Sequence, residues 1–259
     1  LARDATQNLP QMIWSENWLR SLSLLGFVLF WQVTAWLLSS DLLPAPTEVL
    51  VGLWAQLIHG ELLTHLGITL IRVLISFLIA MLIGVALGVL MGRNNSWDAG
   101  LDGILVIGLN IPALVTIILC YIWFGLNEVA AVVAVAINKI PMVIVTVREG
   151  TRALDRQLME VAQVYQLSRW ETFRKVYLPQ LYPYLISAAR NGLALIWKIV
   201  LVVELLGRSD GVGFQLGTFF QLFDILGILV YTLAFVIVIL LIEAWVMRPT
   251  EAYLTRWRK

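Results

Sequence analysis

Six stretches of this chain are each apolar over about the thickness of a lipid hydrocarbon layer, and that repetition limits the fold more than any other feature. They cover residues 22–38, 66–91, 101–124, 127–147, 181–206 and 225–247. A helix needs ~20 residues to cross a hydrocarbon core of ~30 Å. Only helices and closed barrels satisfy their own backbone hydrogen bonds there. With 60% hydrophobic and 14% charged residues and a mean hydropathy of +0.85, the chain does not fit a soluble domain. The expected fold is all-α: a polytopic membrane protein of about six transmembrane helices. The first stretch is the shortest and carries Gln32.

Basic residues set the expected orientation, because short cytoplasmic loops retain Lys and Arg. Of 18 Lys and Arg, six lie in the long loop after the fourth span: Arg148, Arg152, Arg156, Arg169, Arg174 and Lys175. Arg3, Arg20, Arg93, Arg248, Arg256, Arg258 and Lys259 fall on the same side, while Arg208 stands alone on the other. Both termini and loop 149–183 are therefore expected in the cytoplasm, with loop 207–224 outside. The division expected is an interfacial segment 1–21 with a Trp14 and Trp18 pair, a transmembrane domain 22–247 and a basic tail 248–259. Residues 1–20 are mixed and polar, and no small-residue cleavage site follows the first apolar run, so no signal peptide is expected. A net charge of +1 argues against a nucleic-acid binder. Cys120 is the single cysteine, which excludes an internal disulfide. His59 and His65, with no ligand set nearby, read as surface residues.

Loop 149–183 is the one long polar interval. Leu158, Met159, Val161, Ala162, Val164 and Tyr165 form an apolar band on a short helix beginning near Asp155. Ser168-Arg169-Trp170-Glu171 is an S-x-x-E capping box, so a second helix starts there. Two short helices meeting at a corner suit a groove on another protein, or a membrane surface. The loop resembles the cytoplasmic EAA loop of binding-protein-dependent ABC import permeases, whose pattern is E-A-A, three residues, Gly, nine residues, I-x-L-P. Here Glu160-Val161-Ala162 is followed by Gln166 at the glycine position and by Val176-Tyr177-Leu178-Pro179. Val161 and Gln166 depart from the pattern. A residue at that corner needs a left-handed backbone, which Gln adopts at a cost of about 1 kcal/mol.

Other strings resemble the nitrate, sulfonate, taurine and bicarbonate branch of that family. They are Leu43-Pro44-Ala45-Pro46-Thr47-Glu48-Val49, read as an outer turn before a helix capped by Thr47, then Thr69 to Arg72, Trp123-Phe124-Gly125 and Gly211-Val212-Gly213-Phe214. The resemblance implies a non-catalytic subunit of a dimeric pathway in a bacterial inner membrane. Two ABC ATPase subunits, carrying ATP and Mg, would dock on residues 155–179, and a soluble binding protein would deliver a small anion. Leu178 and Pro179 close the docking set begun at Leu158. No cofactor or metal is expected in this chain, which has no G-x-x-x-x-G-K-[ST] phosphate loop.

Within the spans, Ser76, Ala80, Gly84, Gly88 and Gly92 recur every four residues, a stripe that lets another helix come close. Arg190, Trp197 and Glu204 recur every seven and match family positions, which implies a role in pinning helices. Asn110, Asn138, Lys139, Asn191, Lys198 and Glu204 are the candidate pathway residues. A lysine near the midplane costs at least about 2.5 kcal/mol and should face protein or water. Lys139 and Lys198 therefore pair with a buried carboxylate such as Glu204, bond carbonyls freed by Pro141, or line a route for an anion. Relatives carrying pyrimidine or vitamin precursors share these motifs, so the solute stays open. An ATPase-independent secondary transporter would show an inverted repeat, and none relates 22–124 to 127–247. A purely structural subunit would have no use for a docking loop.

Overall fold

The computed structural model describes residues 16–38 and 40–254. Trp14, Arg3, Arg256, Arg258, Lys259 and the Arg20 side chain, named above, lie outside the described residues. All regular structure among the described residues is helical. Helix α1 (Glu16–Leu38) leads through an outer turn to α2 (Pro46–His59) and the long α3 (Leu62–Arg93). Then come α4 (Asn95–Asn110), α5 (Ala113–Phe124) and α6 (Glu128–Arg152). Two short helices, α7 (Arg156–Val164) and α8 (Arg169–Thr172), run by a π turn into α9 (Leu178–Gly207). The chain closes with α10 (Val212–Gln221), α11 (Ile225–Ile242), a second π turn and α12 (Arg248–Leu254). Five of the described helical stretches are long and apolar enough to cross a membrane, and α4 with α5 makes a sixth if taken as one span.

The span expected over 101–124 is a broken one: α4 and α5 meet at 98°. Proline explains the break. Pro112 has no N–H to donate and pushes the residue before it toward extended backbone. Ile111 sits accordingly at φ −68°, ψ 124°. Proline also overrules the expected Thr47 cap. Helix α2 starts with Pro46, whose fixed φ suits a first helical position. Glu48 Oε2 accepts from the Ala45 N–H at 2.8 Å.

Helices α3, α6 and α9 make the core that holds everything else. The small-residue stripe of α3 faces α6 throughout. A β-carbon on Gly84, Gly88 or Gly92 would lie 2.6, 2.8 or 2.5 Å from Val143, Val147 or Thr151 respectively. Ser76 and Ala80 continue this face, both fully buried. The two backbones can approach this closely only because the stripe lacks side chains, so the packing itself selects glycine. Replacing Gly88 with Ala is expected to lower stability by about 1–3 kcal/mol through overpacking. Gly67 on the same helix has open space around it. There alanine should stabilise by up to about 1 kcal/mol from helix propensity. Thermal unfolding of the detergent-purified variants distinguishes the two, and equal shifts would sink the account.

Candidate functional site: an elbow at one end and a latch at the other

The elbow is specified by local chemistry. The Asp155 side chain accepts from the Gln157 N–H at 2.8 Å and starts α7, while the Asp155 N–H donates to Gln180 Oε1 at 2.8 Å. Helix α7 ends in a Schellman turn: the Leu167 N–H reaches Ala162 O at 3.0 Å and the Gln166 N–H reaches Gln163 O at 2.9 Å. Gln166 has φ +51°, the left-handed corner expected there. The capping box is present too, with the Glu171 N–H donating to Ser168 Oγ at 3.2 Å and the Ser168 N–H to Glu171 Oε2 at 3.1 Å.

The apolar band of α7 divides between two faces. Ala162 is buried and Met159 half-buried, facing the bundle, whereas Leu158, Val161, Val164 and Tyr165 are exposed. Glu160 is exposed among them, and Leu178 and Pro179 sit half-buried where α9 begins. Trp170 and Phe173 add to the outward surface, stacked at 5.8 Å, and Phe173 stacks at 5.8 Å on the buried Tyr177. An ion-paired platform supports the corner: Arg148 bonds Asp102 at 2.7 Å and Arg152 bonds Asp98 at 2.5 Å.

At the other end of the bundle lies a latch that the sequence reading did not assemble. His65, Thr69, Arg72 and Ser76 occupy one face of α3. Arg72 is 3% exposed and Glu204 is 0% exposed. The Arg72 guanidinium donates to Glu204 Oε1 at 2.8 Å, to both carboxylate oxygens of Glu128 at 2.9 and 2.5 Å, and to Asp210 Oδ1 at 2.5 Å. The second Glu204 oxygen accepts from Thr69 Oγ1 at 2.9 Å and from the Gly213 N–H at 2.8 Å. Loop 208–213 is thereby folded onto α3. The Val212 N–H donates to Thr69 Oγ1 at 2.9 Å and the Gly211 N–H to His65 Nδ1 at 3.0 Å. Glycine is required at 211, where φ is +99° and a β-carbon would stand 2.4 Å from the Glu204 carboxyl carbon. His65 is thus buried, not a surface residue, while His59 is exposed as expected. Spacings of four, seven and eleven along α3 were the available signal, but the loop that covers this face comes from far along the chain.

The candidate pathway residues are not gathered into one pocket within this subunit. Asn110 is exposed and donates to Val106 O at 2.8 Å. Asn138 borders a largely apolar cavity of about 390 Å³ between α3, α4 and α6. Asn191 borders another, of about 290 Å³, with Arg190 and Trp197. Lys198 is exposed on α9. Lys139 is 2% exposed, and its ammonium donates to Asn191 O at 3.4 Å. Its stem passes Gly192, where a β-carbon would meet Lys139 Cε at 3.1 Å. Glu204 pairs with Arg72 rather than with a lysine. The seven-residue series does tie α9 to its neighbours: Glu204 to α3, Trp197 edge-on to Phe235 at 5.8 Å, and Arg190 to Glu243 and Glu251.

Five or six membrane-length helices packed around α3, α6 and α9 make this an all-α integral membrane fold. The sequence profile of the binding-protein-dependent transport system inner membrane component matches residues 80–248, and the chain belongs to that family. A putative aliphatic sulfonates transport permease of Bacillus subtilis is 29% identical over 93% of this chain and 88% of its own length. Its Escherichia coli counterpart is 35% identical over 73% of each. The riboflavin transport system permease of Chloroflexus aurantiacus is 33% identical over 91% of this chain and 88% of its own. An inward-facing structure of the MetNI methionine ABC transporter shares the fold, with a TM-score of 0.66 at 18% identity over 76% of this chain and 97% of that one.

Proposed function

We propose that two copies of this chain form the transmembrane route of an ATP-driven importer in a bacterial inner membrane, with both termini cytoplasmic. Two ATPase subunits, holding ATP and Mg, dock on the outward face of α7 and the start of α9. A soluble binding protein delivers the solute from the other side. The observation that carries this reading is the exposed apolar face of Leu158, Val161, Val164 and Tyr165, held on a corner closed by the Schellman turn at Gln166 and tied to α9 through the Asp155 N–H and Gln180. ATP-driven closure moves the elbows together and turns the route outward; hydrolysis resets it. Such a shift needs the elbow to bind the closed and open ATPase pairs with different affinity. The ATPases do the hydrolysis, and this chain does no covalent chemistry. Affinity purification of the chain from its native membrane should bring down an ATPase carrying a phosphate-binding loop; its repeated absence would refute the reading.

For the solute, the sulfonate permeases among the relatives and the exposed Lys198 favour a small anion of the sulfonate, taurine, nitrate or bicarbonate class. The Asn110, Asn138 and Asn191 amides supply hydrogen bonds where two copies meet, and Lys139 sets a positive potential behind them. The riboflavin relative supports a second reading, a vitamin-type solute. Replacing Lys198 with Gln should slow uptake of the anion and flatten its dependence on ionic strength. Unchanged uptake, with a neutral heterocycle bound by the partner binding protein, would favour the second.

A further inference from the structure

A hollow of about 740 Å³ opens beneath the cytoplasmic end of α3, between the α3–α4 turn and α7. Arg93, Arg152 and Arg156 line it, with Asn95, Ser96 and Thr151 supplying neutral polar groups, and no carboxylate is among its walls. Among the described residues Arg152 is committed to Asp98 and Glu149, whereas Arg93 and Arg156 have no ion pair. Arg93 instead lies over the Tyr177 ring, 5.7 Å from its centroid. A cation–π contact of this kind uses none of the guanidinium N–H donors. Trp97, half-exposed in the first turn of α4, follows Ser96 of the lining in sequence, and tryptophan marks the headgroup level of a bilayer.

We propose that this hollow binds a phosphate-bearing anion between Arg93 on the transmembrane bundle and Arg156 on the elbow, the phosphodiester of an anionic lipid headgroup or a free phosphate. Planar guanidiniums match phosphate oxygens in pairs. The ligand would bridge α3 to α7, so occupancy fixes the elbow against the bundle. The hollow and its charges carry the site, and its place beside a leaflet rests on the membrane orientation proposed above.

The test uses the assembled transporter in detergent. Native mass spectrometry counts retained phosphatidylglycerol against phosphatidylcholine, and a titration with inorganic phosphate supplies the second arm. Each arginine near an anionic leaflet is worth about a five-fold change, so Arg93→Gln with Arg156→Gln should lower phosphatidylglycerol retention by about 25-fold. Arg248→Gln, exposed on α12 outside the hollow and beside Glu243, should leave phosphate binding unchanged and lower lipid retention less than either hollow arginine does. Arg156→Gln alone, on an exposed turn, should still lower retention about five-fold should the double variant fold poorly. Phosphate binding that the double variant loses, without any lipid preference, assigns the site to a soluble anion. Equal retention of both probes by wild type and variants overturns the proposal.

Discussion

Replacing Arg72 with Met should lower the stability of the detergent-purified protein by about 3–5 kcal/mol, the cost typical of removing one partner of a buried ion pair. The reason is Glu204, which has no exposed surface and cannot rehydrate once its guanidinium is gone. Glu128 and Asp210 can, since their side chains are 53% and 34% exposed. The double variant Arg72→Met with Glu204→Met should recover part of the loss, because an apolar pair removes the stranded charge. Recovery stays incomplete, since Thr69 Oγ1 and the Gly213 N–H lose their acceptor and an unmade buried hydrogen bond costs about 1–3 kcal/mol. Thermal unfolding of Arg72→Met, Glu204→Met and the double variant reads all three. A double variant as unstable as the sum of its parts would show that the pair does not act as a unit.

Changing Tyr165 to Asp, or Glu160 to Arg, should abolish uptake while leaving membrane insertion and melting temperature as they are. Tyr165 is 76% exposed and Val164 is 80% exposed, so neither contributes much to this subunit's own core. In a docked assembly they become buried, and losing a central aromatic contact typically costs at least about 2 kcal/mol, roughly 30-fold in affinity. The ATPase should therefore fall away on gel filtration. Ala162 provides the contrast: it is 2% exposed on the inner face of the same helix. Ala162→Leu should lower the melting temperature first. Uptake that persists in the Tyr165 and Glu160 variants would refute the docking role of α7.

What the sequence revealed about this fold follows from how far each interaction reaches along the chain. The elbow was legible because its determinants are neighbours: Asp155 caps two residues on, Ser168 and Glu171 lie three apart, and Gln166 closes a turn begun at Ala162. The glycine stripe was legible for the same reason, since four-residue spacing defines one helical face. The latch was not. Arg72 and Glu204 are 132 residues apart, and His65 is covered by a backbone amide 146 residues away. The spacing to Thr69, Arg72 and Ser76 puts that histidine on a polar face, but nothing local says that the face is covered. Lys139 was left open between a carboxylate, a main-chain carbonyl and the solute route; the acceptor it takes here is the carbonyl of Asn191, whose identity carries no sequence signature. The bend at Pro112 lay within reach, since proline in an apolar run always leaves a choice between kink and corner.

The Arg72 cluster fastens α3, α6 and α9 at one rim, and the Arg148 and Arg152 pairs fasten α6 to α4 at the other. A barrel riveted along both lips resists splaying lengthwise, much as a hooped cask does. The chain is then a stiff paddle rather than a flexing tube. In the dimer proposed above, a doorway for cargo would open where one paddle swings away from the other, with its hinge outside the riveted timber.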